Sequence, residues 1–205
     1  MAMSLITTSC HKDEVKTDEF DYTVDKFADI EVLRYKVPGF EDLSLNQKKL
    51  IYYLTEAAIW GRDILWDQNN EYNLPIRRML ETVYTNYDGD RNSDDFKNFE
   101  RYLKQVWFAN GIHHHYSTDK FTPAFSREFL VAELDKLPAG DWTASQDTIL
   151  TIIFDSAVAA KRVNQAEGQD LIATSANNLY KGVSQAEVEA YYDALKNPAD
   201  TTPIS

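Results

Sequence analysis

The chain has 205 residues, 43% of them hydrophobic and 13% aromatic, which is enough for a packed core and too many for a disordered polar chain. Its formal charge is −12 with no basic stripe, which excludes the phosphate-neutralising surface that nucleic-acid binding needs. No run of about 18 apolar residues exists to span a bilayer as a helix, and a single cysteine, Cys10, excludes an intrachain disulfide.

Residues 1–22 read as a disordered leader. Cys10 closes the stretch "SLITTSC", and the acidic, polar run "HKDEVKTDEFD" that follows has the composition of a tether. Two readings stay open. One is the remnant of a bacterial lipoprotein signal with Cys10 as the lipidated residue, which places the protein in the envelope. The other is an ordinary amino-terminus of a cytoplasmic protein.

Alternation of Ile30 and Val32 against Glu31 and Leu33 predicts a short strand ended by Pro38-Gly39. Ser44 and Gln47 form a capping-box pattern at the start of a helix expected over 44–68. Its apolar residues, Leu50, Ile51, Leu54, Ala57, Ala58, Ile64 and Leu65, recur at helical spacing, with Gly61 among them. Asn73 is placed to cap a second helix, with Pro75 in its first turn. "NYDGDRNSDD" reads as a connector, and a third helix starts near Asp94. Ser126 is placed to cap a short helix, "QDTILTIIFDSAV" predicts another, and the β-branched run "LIATSAN" (171–177) predicts a strand. Ser184 and Glu187 form a second capping box, and Pro198 is expected to end the helix that follows. The expected class is α+β, mainly helical, with two or three short strands. Isolated strands need partners for their edges, so the chain reads as part of a larger protein.

Three of the four histidines, His113, His114 and His115, stand side by side. In a strand His113 and His115 share a face while His114 opposes them, and in a helix neighbours diverge by about 100°. Neither arrangement converges three rings on one ion, as a zinc centre requires. The pair His113 and His115 would need a further carboxylate, such as Asp119. "YDGDRNSDD" has the acids of a calcium loop, but the twelfth position from Asp88 is Phe99, not glutamate. There is no His-Glu-x-x-His, no Gly-x-Ser-x-Gly and no clustered-glycine phosphate loop. Residue chemistry alone therefore assigns no catalytic residue and no metal ligand. Trp60, Trp66, Tyr191 and Tyr192 read as core or interface aromatics.

Three segments in order, "LSLNQKKLIYYLTEAAIWGRDILWDQ" (43–68), "GIHHHYSTDKFTP" (111–123) and "LIATSANNLYKGVSQAEVEAYYDAL" (171–195), resemble the amino-terminal part of the dipeptidyl peptidase III family, bacterial members most closely. The likeness runs from about residue 22 to 205. It implies a two-lobed zinc exopeptidase that removes dipeptides from the amino-terminus of short peptides. This chain corresponds to part of the non-catalytic, substrate lobe. The family's His-Glu-x-x-Gly-His and Glu-Glu-Cys-Arg-Ala-Glu type motifs are absent, so the resemblance implies zinc in the complete parent and none held by this piece. Its implied partners are short peptides and the remaining catalytic lobe.

Gly111, Tyr116, Lys120, Phe121 and Pro123 match the family's loop motif, whose aromatic faces the interlobe cleft and packs on bound peptide. The resemblance thus makes Tyr116 a substrate-binding residue, flanked by His115 and His114. In animal members the triplet is not histidine, and the order Thr118-Asp119 departs from the animal pattern. The alternative expectation is a stand-alone helical interaction module without catalytic activity.

Overall fold

A computed structural model describes residues 20–138, 140 and 142–196. Cys10 and nearly all of the expected leader lie outside the described residues, as does Pro198. The described chain divides into two compact units, one ending at Val37 and one beginning at Pro38.

The first unit is an antiparallel hairpin of β1 (Thr23–Phe27) and β2 (Ile30–Leu33). Phe27 pairs with Ile30 across the tight Ala28-Asp29 turn, in which Ala28 takes φ 49°. Lys26 faces Glu31 across the strands, and their charged groups lie 2.9 Å apart. The alternation at 30–33 correctly marks β2, but the strand stops at Leu33 rather than at Pro38-Gly39. Its partner β1 was not expected. "TVDKF" is too short and too charged to read as a strand until a neighbour supplies its ladder.

The second unit is helical: α1 (Leu45–Trp60), α2 (Arg62–Asn69), α3 (Asn73–Asn86), α4 (Asp94–Ala109), α5 (Arg127–Leu134), α6 (Gln146–Phe154) and α7 (Gln185–Leu195). Local chemistry fixes most starts. Ser44 and Ser184 each complete a reciprocal capping box with Gln47 and Glu187. The Ser93, Ser126 and Ser145 side chains accept the backbone N–H three residues on. The mainly helical α+β character expected from the pattern is what the described residues show.

Three local expectations are corrected. The helix over 44–68 is broken at Gly61, which caps α1 and starts α2; glycine is the residue least committed to helix in that run. Asn73 does not cap α3. Its side chain turns inward instead, donating to the Trp66 carbonyl and accepting from the Ile112 amide. The run 171–177 is not a strand. The Asp170 carboxylate accepts from the amides of Ile172 and Ala173, and the Thr174 amide donates to the Asp170 carbonyl, folding 171–174 into a turn. An aspartate that captures the next amides outweighs β-branched propensity.

The core lies among α3, α4, α5 and α6. Ile76, Met79, Leu80 and Val83 of α3 meet Phe96, Phe99, Leu103 and Val106 of α4, all essentially inaccessible. Leu130 and Leu134 of α5 and Ile149, Leu150 and Ile153 of α6 complete it. Phe125 wedges between Phe99, Tyr102 and Phe154, with ring centroids 5.4–5.6 Å apart in edge-on geometry. Trp66 anchors α2 to this core.

α1 behaves differently. It buries none of its residues, although it carries Leu50, Ile51, Leu54, Ile59 and Trp60, the last 84% exposed. α7 also buries none. No helix among the described residues is long and apolar enough to cross a membrane.

Candidate functional site

α4 ends where the opening of "GIHHHYSTDKF" begins. Asn110 takes the left-handed conformation, and the Gly111 amide reaches back to the Val106 carbonyl at 3.0 Å, closing a Schellman-type cap. Gly111 itself has φ +148°, and a Cβ there would lie 2.2 Å from Asn73 Nδ2. The glycine is therefore required twice, for its backbone and for the approach of Asn73, whose Oδ1 then holds the Ile112 amide at 3.2 Å.

From Ile112 to Phe121 the chain forms a narrow hairpin. Phe121 donates to the Ile112 carbonyl and His114 to the Asp119 carbonyl, each at 2.8 Å. The tip closes when the Thr118 amide donates to the His114 carbonyl at 3.1 Å, with Thr118 at φ +63°. Ile112 and Phe121 sink into the core, and the tip carries Tyr116, 84% exposed.

The three histidines do three different jobs. His113 is buried, and its Nε2 lies 2.7 Å from the Ala159 carbonyl. A carbonyl only accepts, so Nε2 carries the proton and Nδ1 is the bare nitrogen; Nδ1 finds no partner among the described residues. Burial pushes this imidazole down to about 4, with the Arg162 and Lys120 cations acting in the same direction, so it is neutral at pH 7. His114 Nδ1 accepts from the amides of Tyr116 and Ser117 at 3.2 and 3.1 Å, which shapes the tip. The His115 ring lies between Phe108, at 5.1 Å, and Tyr116, at 4.2 Å.

The hairpin is latched to the segment after α6. Lys120 Nζ donates to the carbonyls of Ile152 and Val158 at 2.8 and 2.7 Å and also to that of Asp155. This places a cation at the carbonyl end of α6, where the helix dipole is negative. Desolvation lowers the Lys120 pKa from its ordinary value. The Lys120 amide donates to the Ala160 carbonyl, and Asp119 pairs with Lys161 at 2.6 Å. The Lys161 ammonium beside it holds the Asp119 carboxyl below its ordinary range.

Arg162 joins three parts of the chain. Its guanidinium donates to Asn69 Oδ1 at the end of α2 and to the His115 carbonyl at the hairpin tip, both at 3.3 Å. Its amide donates to the Thr118 carbonyl, and its carbonyl accepts from the Asn177 amide. The end of α2 is tied to the 171–195 segment as well: Asn178 donates to the Gln68 carbonyl and Asn70 Nδ2 to the Ala176 carbonyl.

The structure therefore brings together Tyr116, His115 and His114, the three substrate-binding residues expected from the loop motif. Sequence reading missed Arg162 and Phe108 altogether, and it did not find the inward contacts of Asn73 or the carbonyl contacts of Lys120. Of these, Asn73 was noticed as a cap and Lys120 as a motif match; the partners of Arg162 lie 47 and 93 residues away, and no local pattern announces them. Among the described residues no three His, Cys, Asp or Glu side chains gather to hold a metal ion. Cys10 lies outside them. A separate open groove of about 810 Å³ runs between α6 and residues 172–183, lined by Asn70, Tyr72, Thr151, Asn177 and Tyr180 among others; Tyr116 does not line it.

No protein-family model matches the chain, and no curated protein matches it.

Proposed function

We propose that this chain is the amino-terminal portion of the substrate lobe of a dipeptidyl peptidase III-like zinc exopeptidase, and that it supplies scaffold and one wall of the peptide cleft. The observation that carries the proposal is the convergence of the three segments on which the resemblance rests. The end of 43–68 touches 171–195 directly, with the Asn178 amide donating to the Gln68 carbonyl and Asn178 Nδ2 to Asp67 Oδ2, and 111–123 reaches the same place through Arg162, which donates to the His115 carbonyl and to Asn69 Oδ1. One cleft wall built from three separated segments requires them to share one place in the fold. Tyr116 fits the role of a peptide contact, because it is exposed at the tip of a hairpin held by hydrogen bonds between its own two arms and to residues 160 and 162. An aromatic face presented on a fixed loop offers contact area with little left to order on binding.

The zinc chemistry belongs to the lobe this chain does not include. His113 and His114 serve the fold of the hairpin, His113 donating inward to the Ala159 carbonyl and His114 accepting two tip amides through Nδ1, and His115 packs between Phe108 and Tyr116. No reaction step is assigned to these residues.

The exposed apolar residues of α1 favour a second reading, a stand-alone helical interaction module. Reading the gene past codon 205 separates the two. An open frame that continues into a His-Glu-x-x-Gly-His helix supports the first; a stop codon at that point supports the second. The purified chain is expected not to hydrolyse a dipeptidyl-arylamide, with or without added zinc. Turnover that survives repurification would overturn the proposal.

A further inference from the structure

We infer that Arg162 is the positioning residue of the Tyr116 platform, a clamp that sets the direction in which the ring is presented to a peptide. The inference rests on the reading of Tyr116 as a peptide contact. The guanidinium donates to the His115 carbonyl, and that carbonyl belongs to the peptide unit joining His115 to Tyr116. A peptide unit is planar and stiff, so fixing its oxygen fixes the amide of Tyr116 and narrows the direction of its Cα–Cβ bond. The second branch of the same guanidinium is held by Asn69 Oδ1, at the end of α2. The Arg162 backbone adds a third tie by donating to the Thr118 carbonyl at 2.8 Å, on the far side of the tip. The tip is thereby gripped on both flanks of Tyr116 from one residue.

The chemistry asks for arginine. Two acceptors in different directions need a planar fork; an ammonium on a flexible stem is a point donor and does not hold both with the same geometry. The His115 ring, packed on Tyr116 at 4.2 Å, follows the same peptide unit, so the clamp acts on both rings. Arg162 itself is half-buried.

Two measurements on the 205-residue chain test this. In the ¹⁵N-labelled R162A variant the amides of Tyr116, Ser117 and Thr118 are expected to shift and to exchange about tenfold faster, while those of Ile112 and Phe121 hold. Binding of the tetrapeptide Ala-Ala-Phe-Ala with a free amino-terminus is then followed by ligand-observed NMR. Y116A is expected to weaken binding about fivefold or more, R162A by a smaller factor, and the double variant no more than Y116A alone. R162K, which keeps the charge but not the fork, falls between R162A and the wild type, and it decides in place of R162A if that variant does not fold.

Unmoved tip amides overturn the inference whatever the peptide does, and so do losses that multiply in the double variant. Tip amides that shift in R162A, together with a Y116A chain that binds as well as the wild type, uphold the clamp. They overturn instead the assignment of Tyr116 as the peptide contact.

Discussion

His113 makes the stability of this protein depend on pH in a calculable way. Its imidazole is buried, neutral and bonded through Nε2–H to the Ala159 carbonyl, and burial pushes it from an ordinary value of 6.5 down to about 4. Between those two pH values the unfolded chain binds a proton at this position and the folded chain does not. Stability therefore rises with pH through that window. The His113 contribution is fully present above about pH 6.5, falls as the pH drops towards 4, and levels off below it. One pH unit of separation corresponds to about 1.36 kcal/mol, so the loss across the window is about 3 kcal/mol, reached at a slope of at most about 1.4 kcal/mol per pH unit. Glutamine can place an amide N–H near the same carbonyl and carries no charge at any pH.

Urea unfolding of the wild type and H113Q at half-unit steps from pH 4 to pH 7.5 isolates the His113 contribution, because every other ionisable group is common to both chains. The difference in unfolding free energy between the two is expected to change by about 3 kcal/mol over the window. A difference that stays constant with pH would refute the reasoning, and would mean that the ring is reached by water or charged in the folded state.

Lys120→Met removes the cation shared by the Ile152, Asp155 and Val158 carbonyls; after allowing for partial solvent screening the expected loss is about 2 kcal/mol, read as a fall of about 4–8 °C in Tm. Asn73→Ala strands the Ile112 amide inside the protein and leaves the Trp66 carbonyl only the Asn70 amide, and is expected to cost about 1–3 kcal/mol in urea unfolding. Gly111→Ala meets both a positive φ and the Asn73 side chain; a loss of about 2–4 kcal/mol is expected, relieved in part when Asn73 is also shortened to Ala, so strict additivity of the pair would contradict the geometry. Leu50→Gln and Leu54→Gln, at exposed positions of α1, are expected to change stability by no more than about 0.5 kcal/mol, and a core-sized loss in either would show that α1 is packed.

The local devices were legible because they act over three or four residues. Ser44 with Gln47 and Ser184 with Glu187 close as capping boxes, and Ser126 caps α5, since each pairing is complete within one turn of backbone. The same locality explains the errors. Asn73 has the chemistry of a cap, but a buried amide 39 residues away competes for its oxygen and wins. The run after Asp170 has the β-branched composition of a strand, but the aspartate takes its first amides.

The triplet at 113–115 shows the division most clearly. Spacing alone was enough to argue that three adjacent imidazoles do not converge on one ion, because the repeat of the backbone sends neighbours apart. What each ring does was decided by residues far along the chain. Ala159 and Arg162 meet the hairpin only because α6 packs on the core and returns the chain to it. By itself the sequence determined the mainly helical character and most of the helix starts, both consequences of short-range geometry. Only the tertiary structure decided that Tyr116 stands out from a latched hairpin and that α1 carries its apolar residues on an open face. Both depend on which surfaces meet, and a periodic pattern records that a face is apolar without recording what covers it.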